Sequence, residues 1–212
     1  MDSITYISIA TAIIVAAIAL IVVFKTQILR ETNSNTSPYS LSKFQLWLWT
    51  SVICPLFAIH WGWHFPLDPS INDTSLILLG IAGGVTLTSS ILTQVSFANK
   101  RDKITKNIEK GLSAANKDLP KLKIEKESKG FWVDLLTGDG ETMPVERLQN
   151  LIFTFVYVIV YVAFFFSLTK FIDPRTHEES MTLMNYINFD KLAFVLMGIS
   201  SGSYLIGKGM NR

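Results

Sequence analysis

Five stretches of this sequence contain no Asp, Glu, Lys or Arg, and they constrain the fold more than any other feature. They occupy residues 3–24, 44–67, 74–99, 148–169 and 192–207. An α-helix needs about 20 apolar residues to cross a bilayer, and four of the five stretches exceed that length. Charged residues make up only 17% of the chain, against about 25% in soluble domains. The sequence therefore excludes a soluble enzyme and predicts a polytopic membrane protein.

We expect an all-α fold with five transmembrane helices, over residues 4–24, 44–63, 74–96, 148–168 and 192–207. The first stretch has no basic residue before it, so it is interpreted as a retained span rather than a signal peptide. The last stretch has 16 residues and is short for a span. It thins the bilayer locally, ends on snorkelling Lys191 and Lys208, or is re-entrant.

The basic residues predict the orientation of the chain. With five spans and the N-terminus outside, 16 of the 19 Lys and Arg residues fall on the cytoplasmic side. The reverse orientation places the same 16 residues outside, against the excess of Lys and Arg that cytoplasmic loops carry. The sequence therefore predicts an N-out, C-in topology.

Two parts of the chain resemble each other, which predicts an internal two-helix repeat. After a first transmembrane helix (1–30), repeat unit 1 covers residues 40–97 and repeat unit 2 covers 144–212, with a cytoplasmic basic helical segment (98–143) between them. Each unit crosses the membrane twice, so the units run in the same direction and form a parallel repeat. The aligned pairs are Lys43 with Arg147, Gln45 with Gln149, Gly80 with Gly198, and Gly84 with Gly202.

The repeated motifs resemble those of an uncharacterised family of bacterial multi-pass inner-membrane proteins. The family pattern is S-L-S-[KR]-x-Q-x-x-x-[WF] before one span and L-x-G-I-S-x-G-x-x-L within the next. The matching residues are Ser40, Leu41, Ser42, Lys43, Gln45 and Trp49, then Leu196, Gly198, Ile199, Ser200, Gly202 and Leu205. The first unit departs from the pattern at Ala82, where the family has Ser. The resemblance covers spans two to five and implies a bacterial inner-membrane location, but no activity.

Small residues within the spans are the candidate functional set. Two small-xxx-small pairs, Gly80/Gly84 and Gly198/Gly202, are typical of helices that approach closely. Hydroxyl side chains accompany them at Thr86, Ser90, Ser200 and Ser203. The set is interpreted either as helix packing, within or between protomers, or as the lining of a permeation path. The spans contain no charged residue at depth, which argues against an ion-coupled transporter.

The segment between the two units is strongly basic. From residue 100 to 129 it holds ten basic and five acidic residues. Its first part is predicted to extend the third span as a helix, with Ile104, Ile108 and Leu112 on one face. Four interpretations of this segment remain open: contact with anionic lipid, a partner-binding helix, a nucleotide sensor, and ordinary positive-inside charge. The interleaved acids argue against nucleic-acid binding. Residues 131–136 are predicted to be amphipathic and to lie on the membrane or against the bundle.

No residue pattern indicates catalysis. Phosphate-binding, nucleophile-elbow and zinc-protease motifs are absent. His60 and His64 have a metal-ligand spacing but no third ligand, so an aromatic belt at the headgroups is favoured. We expect a non-enzymatic protein with no catalytic residue, cofactor or metal.

The leading functional hypothesis is a homo-oligomeric channel or gated pore that is controlled through the cytoplasmic segment. The alternative is a membrane scaffold or sensor that recruits a cytoplasmic protein partner, in a phage-defence or transporter complex, without conducting. The expected partners are the lipid bilayer and further copies of the chain.

Overall fold

The computed structural model describes residues 3–32, 34–63, 71–112, 127–137, 143–169 and 189–210. Within these ranges the chain is all helical and has no strand. The helices are α1 (Ser3–Lys25), α2 (Leu41–Trp63), α3 (Asp73–Leu112), α4 (Phe131–Thr137), α5 (Val145–Thr169) and α6 (Lys191–Met210). Five of them, all except α4, are long and apolar enough to cross a membrane. The predictions of an all-α fold and of five helices long and apolar enough to cross a membrane are therefore confirmed for the described residues.

Four of the five spanning helices are longer than the charge-free stretches that predicted them, whereas α2, with 23 residues, begins before its stretch and ends before the end of it. The shortest stretch becomes the 20-residue helix α6, which includes Lys191 and Lys208. At a rise of 1.5 Å per residue its length is about 30 Å, which matches the hydrocarbon core of a bilayer. The helix α3 has 40 residues and continues past its span to Leu112, as the periodicity of the basic segment predicts.

The bundle is built by contacts between consecutive helices and between the two predicted units. The helix α1 packs along α2, and the indole Nε1 of Trp47 donates a hydrogen bond of 3.1 Å to the carbonyl oxygen of Ala19. The helix α2 also contacts α3 and α5, and α6 contacts both of these. We call the end where α2 and α5 begin the polar end, and the opposite one the far end.

Two hydrophobic clusters fill the interior at different depths. The cluster in the far half is aromatic and aliphatic, and it joins α2, α3, α5 and α6. Its buried members are Trp49, Ile53, Leu56, Leu78, Ala82, Tyr161, Phe165, Phe189 and Met197. The second cluster lies nearer the polar end and includes Leu29, Leu41, Phe44, Val85, Leu135, Leu151 and Tyr204. Large apolar side chains on the outside of the spans, such as Ile13, Leu87 and Ile159, are exposed, as expected where a helix faces lipid.

Hydroxyl and amide side chains fix the start of α3 at the far end. The backbone N–H of Ser75 donates to Oδ1 of Asn72 at 3.0 Å, so Asn72 caps the helix. The hydroxyls of Ser75 and Tyr161 lie 2.7 Å apart and share a hydrogen bond between α3 and α5. The N–H of Phe189 donates to Oγ1 of Thr74 at 3.3 Å. These contacts connect the far-end entries of α3 and α6.

Candidate functional site at the polar end of the bundle

A buried ion pair joins three parts of the chain at the polar end. The side chain of Lys208, in the last turn of α6, is only 4% exposed. Its Nζ donates to Oε1 of Glu31 at 2.7 Å and to Oγ of Ser89 at 2.6 Å. Glu31 lies in the loop after α1, and Ser89 lies in α3. The sequence-based option that Lys208 snorkels to water is therefore wrong for this protein, because its ammonium group points into the bundle.

A second ammonium group lies beside this pair. Lys43, in the first turn of α2, is half-buried and donates from Nζ to the carbonyl oxygens of Arg30 at 2.7 Å and Glu31 at 3.4 Å. The guanidinium group of Arg30 in turn donates to the carbonyl oxygen of Ser37 and to the hydroxyl of Tyr39. The loop between α1 and α2 is therefore held against the bundle by basic side chains.

Arg147 performs the corresponding task at the start of α5. Its Nε donates to the carbonyl oxygen of Leu135 at 3.2 Å, and its Nη2 donates to that of Asp134 at 3.4 Å. The guanidinium carbon lies 5.4 Å from the ring centroid of Tyr204, within the range of a cation–π contact. Arg147 is only 8% exposed, so these contacts replace its hydration.

The aligned pair Lys43 and Arg147 therefore makes the same kind of contact. Each side chain comes from the first turn of its helix and reaches two backbone carbonyls, 12 and 13 residues earlier in the chain. The aligned pair Gln45 and Gln149 differs, because Gln45 is buried and Gln149 is exposed. Of the repeat-motif polar residues, the two basic ones share a role and the two glutamines do not.

Gln45 connects the two units across α2 and α5. Its Nε2 donates to Oγ1 of Thr154 at 2.6 Å and to the carbonyl oxygen of Asn150 at 3.5 Å. Its Oε1 accepts a hydrogen bond of 3.4 Å from Nδ2 of Asn150. All three side chains are at least 95% buried. Since each amide offers both a donor and an acceptor, the group is satisfied without water.

The short helix α4 is attached to the bundle by a buried carboxylate. Asp134 is 2% exposed, and its carboxylate accepts hydrogen bonds from the N–H of Tyr39, the N–H of Lys129 and the hydroxyl of Ser128. The ring of Phe131 packs edge-on against the rings of Tyr39 and Phe44, at centroid distances of 5.1 and 5.6 Å. Of the two predicted positions for this amphipathic segment, the structure shows contact with the bundle.

The predicted glycine faces make no close contact with another helix in the described part of the chain. A Cβ atom placed on Gly80, Gly84, Gly198 or Gly202 meets no described atom within 4 Å outside its own helix. Close packing against the other described helices therefore does not explain these four positions. The interhelical close approach lies elsewhere, at Gly62 in α2, where an added Cβ comes within 1.9 Å of Cβ of Ser8 in α1. No pattern in the sequence predicted this contact between α1 and α2.

The four candidate hydroxyl groups are divided between the interior and partly open positions. Thr86 donates to the carbonyl oxygens of Ala82 and Ser42, at 2.8 and 2.9 Å, and so points into the bundle. Ser200 is 2% exposed and has no hydrogen-bond partner within the described residues. Tyr204, one turn further along α6, likewise buries a hydroxyl without a partner there. Ser90 and Ser203 are half-buried.

Within the described part of the chain, no three His, Cys, Asp or Glu side chains form a group that could hold a metal ion. His60 is 6% exposed, and its predicted companion His64 lies outside the described residues. The charged and polar side chains of the polar end hold the loop after α1, the helix α4 and the end of α6 together.

Comparison of the chain with protein-family models, curated proteins and solved structures gives no match.

Proposed function

We propose that this chain is a non-enzymatic inner-membrane protein that assembles with copies of itself into a channel or gated pore. The observation that carries the proposal is the open space around Gly80 and Gly84 on α3 and around Gly198 and Gly202 on α6. Small-xxx-small faces let two helix backbones approach closely in a membrane, and these two faces have no occupant among the residues that the structure describes. A neighbouring protomer is the partner that such a face fits best, in a closed ring such as a tetramer or pentamer.

The pore of this proposal lies between protomers and not inside one. In the far half, the side chains of Trp49, Ile53, Leu78 and Tyr161 are almost completely buried and fill the space between the helices. Between protomers, the half-buried hydroxyls of Ser90 and Ser203 are available to line a path. Rings of apolar side chains from the same faces could close that path by dewetting.

Control through the cytoplasmic segment is supported by how the segment leaves and rejoins the bundle. It leaves as a direct continuation of α3, which runs from its span to Leu112 without a break. It rejoins at Ser128, whose N–H donates to the carbonyl oxygen of Thr36 at 2.7 Å, and at the buried Asp134. Because both ends are attached to the bundle, a displacement of the segment would reach the helices directly.

The proposal places the polar end in the cytoplasm, in the N-out, C-in orientation that the basic residues indicate. Cysteine labelling of intact cells, in a Cys54→Ser background, tests this orientation. We expect an impermeant reagent to modify Asp73→Cys and Glu178→Cys from outside, but to leave Lys117→Cys unmodified until the membrane is opened. Modification of Lys117→Cys in sealed cells would overturn the orientation.

The proposal also includes the duplication of a two-helix unit and the resemblance to the bacterial family that shares its motifs. The contacts of Lys43 and Arg147, which use carbonyls at the same distance along the chain, support the duplication. Equivalent basic side chains that reach carbonyls 12 and 13 residues earlier are what a duplicated unit predicts.

The variant Gly202→Leu tests the assembly and the pore together. A Cβ at position 202 meets no described atom within 4 Å outside its own helix, so we expect the monomer to fold while the contact between protomers is blocked. The matched control is Gly207→Leu, on the same helix, with equal room and outside the glycine pair. We expect Gly202→Leu to reduce the mass of the complexes in nanodiscs and to abolish ion flux in liposomes, and Gly207→Leu to change neither. If Gly202→Leu leaves both mass and flux unchanged, the pore is refuted.

The second candidate is the non-conducting scaffold or sensor that recruits a cytoplasmic partner. It is favoured by the inward positions of Thr86 and Ser200, which remove two of the four hydroxyls predicted to line a path. It predicts no flux from any assembled form, together with retention of a cytoplasmic protein that is lost when residues 100–126 are replaced by a neutral linker. Flux from the wild-type protein therefore separates the two candidates.

A further inference from the structure

The helix α4 has one face buried against the bundle and an opposite face that is apolar and exposed in the described part of the chain. Asp134 and Leu135 are 2% and 0% exposed. Trp132 and Val133, which precede them, are 59% and 43% exposed. The function proposed above uses only the buried face. Two adjacent apolar side chains exposed on a short helix form a small patch of the kind that can mark contact with a membrane or a partner.

The attachments of α4 place it at the level where two spans begin. Phe131 packs on Phe44, in the first turn of α2, with 5.6 Å between the ring centroids. The carbonyl oxygen of Leu135 accepts a hydrogen bond of 3.2 Å from Arg147, in the first turn of α5. A bilayer crossed by α2 and α5 from these turns would have its headgroup layer at the level of α4.

The surroundings of the exposed face suit a lipid surface. Lys129, two residues before α4, and Lys25, at the end of α1, are both exposed at the polar end. Basic side chains next to a membrane are attracted to its anionic headgroups. Tryptophan is enriched at the membrane–water interface, because its ring is amphipathic and prefers the headgroup level.

We propose that the Trp132–Val133 face of α4 inserts into the interfacial layer of the leaflet at the polar end and holds the helix on that lipid surface. The occupant is the bilayer itself, which continues the lipid-facing surface of the spans. The inference does not depend on conduction or on self-association. It makes α4 a contact between three bodies, namely the bundle, the cytoplasmic segment and the lipid.

Spin labels on the full-length protein in liposomes test this inference. In a Cys54→Ser background, nitroxides are attached at Trp132→Cys and, separately, at Val133→Cys. The control is Glu127→Cys, on the exposed residue that precedes the contacts of Ser128. Collisions with oxygen report lipid, and collisions with a water-soluble nickel chelate report water. We expect oxygen to dominate at 132 and 133, and the chelate to dominate at 127.

Two results would overturn the inference. Dominance of the chelate at 132 and 133 would mean that the face is in water. Low collision rates with both reagents would mean that it is covered by protein, either a second copy or the segment 98–126. A measurement without labels guards against disturbed folding. The difference in tryptophan fluorescence between the wild type and Trp132→Phe reports the emission of Trp132, and brominated phospholipids should quench it. Unquenched emission of Trp132 also overturns the inference. Neither measurement involves flux, so its outcome is independent of the proposed channel.

Discussion

The ion pair of Glu31 and Lys208 should contribute several kcal/mol to the stability of the bundle, and a double-mutant cycle can measure it. At the observed separation of 2.7 Å, and with an effective dielectric constant of about 20, the Coulomb attraction is about 6 kcal/mol. Desolvation of the two groups offsets much of this gain, because their side chains are only 4% and 10% exposed. Removing one partner leaves the other charge buried. We therefore expect Glu31→Gln or Lys208→Met alone to lower the free energy of unfolding by about 3–5 kcal/mol.

The double variant Glu31→Gln/Lys208→Met should lose much less than the sum of the two single losses, since neither charge is left unpaired. We expect a coupling energy of about 3 kcal/mol, at the upper end of the range for residues in contact. The assay is unfolding by sodium dodecyl sulfate in mixed micelles, followed by far-UV circular dichroism. Lys191→Met is the matched control, because Lys191 is exposed at the other end of the same helix. Single losses that add to within about 0.5 kcal/mol would refute the pairing.

Two further substitutions test the helix contacts. Gly62→Ala should separate α1 from α2 and lower the free energy of unfolding, because the new Cβ falls within 1.9 Å of Cβ of Ser8. Adding Ser8→Gly should restore part of the lost stability. A Gly62→Ala protein as stable as wild type would contradict the close approach. Gln45→Leu should lower the free energy of unfolding by about 1 kcal/mol, in the range of interhelical hydrogen bonds in membranes. The same change at the exposed Gln149 should have almost no effect, and equal losses at the two positions would contradict the buried amide network.

The spans were predictable because a transmembrane helix is a local property of the sequence. A charge-free run of sufficient length specifies a helix without reference to the rest of the chain. The amphipathic run after α3 is equally local, and the helix continues to Leu112 as expected. Helix ends were predicted less well. The first turns of α2 and α5 contain Lys43 and Arg147, which a charge-free criterion excludes although their side chains bond to nearby carbonyls.

The polar end was not predictable in the same way, because its partners are far apart in the chain. Lys208 and Glu31 are separated by 177 positions, and no periodicity connects them. The repeat alignment did identify Lys43, Arg147 and Gln45 as notable residues, but it gave Gln149 the same weight as Gln45. Only packing decides which of two equivalent side chains is buried.

The glycine positions could also be only partly interpreted from the sequence. Small-xxx-small spacing identifies helix faces that permit close approach, but it does not say which neighbour approaches. Among the described residues the close approach is at Gly62, a glycine that lies between two tryptophans, four residues after Ala58 and outside the two pairs that were singled out. The faces of α3 and α6 remain for another partner, on which the proposed assembly depends.

Single-channel recording of the purified protein in planar bilayers tests the central claim most directly, namely a pore controlled through the cytoplasmic segment, which α4 attaches to the bundle. We expect discrete conductance steps for the wild-type protein. Asp134→Ala removes the acceptor of three hydrogen bonds around α4 and should change the open probability. Glu127→Gln changes an exposed acid nearby and should leave the open probability unchanged. Steps that are identical in wild type and Asp134→Ala would contradict control through α4. The absence of steps from assembled wild-type protein would contradict the channel itself.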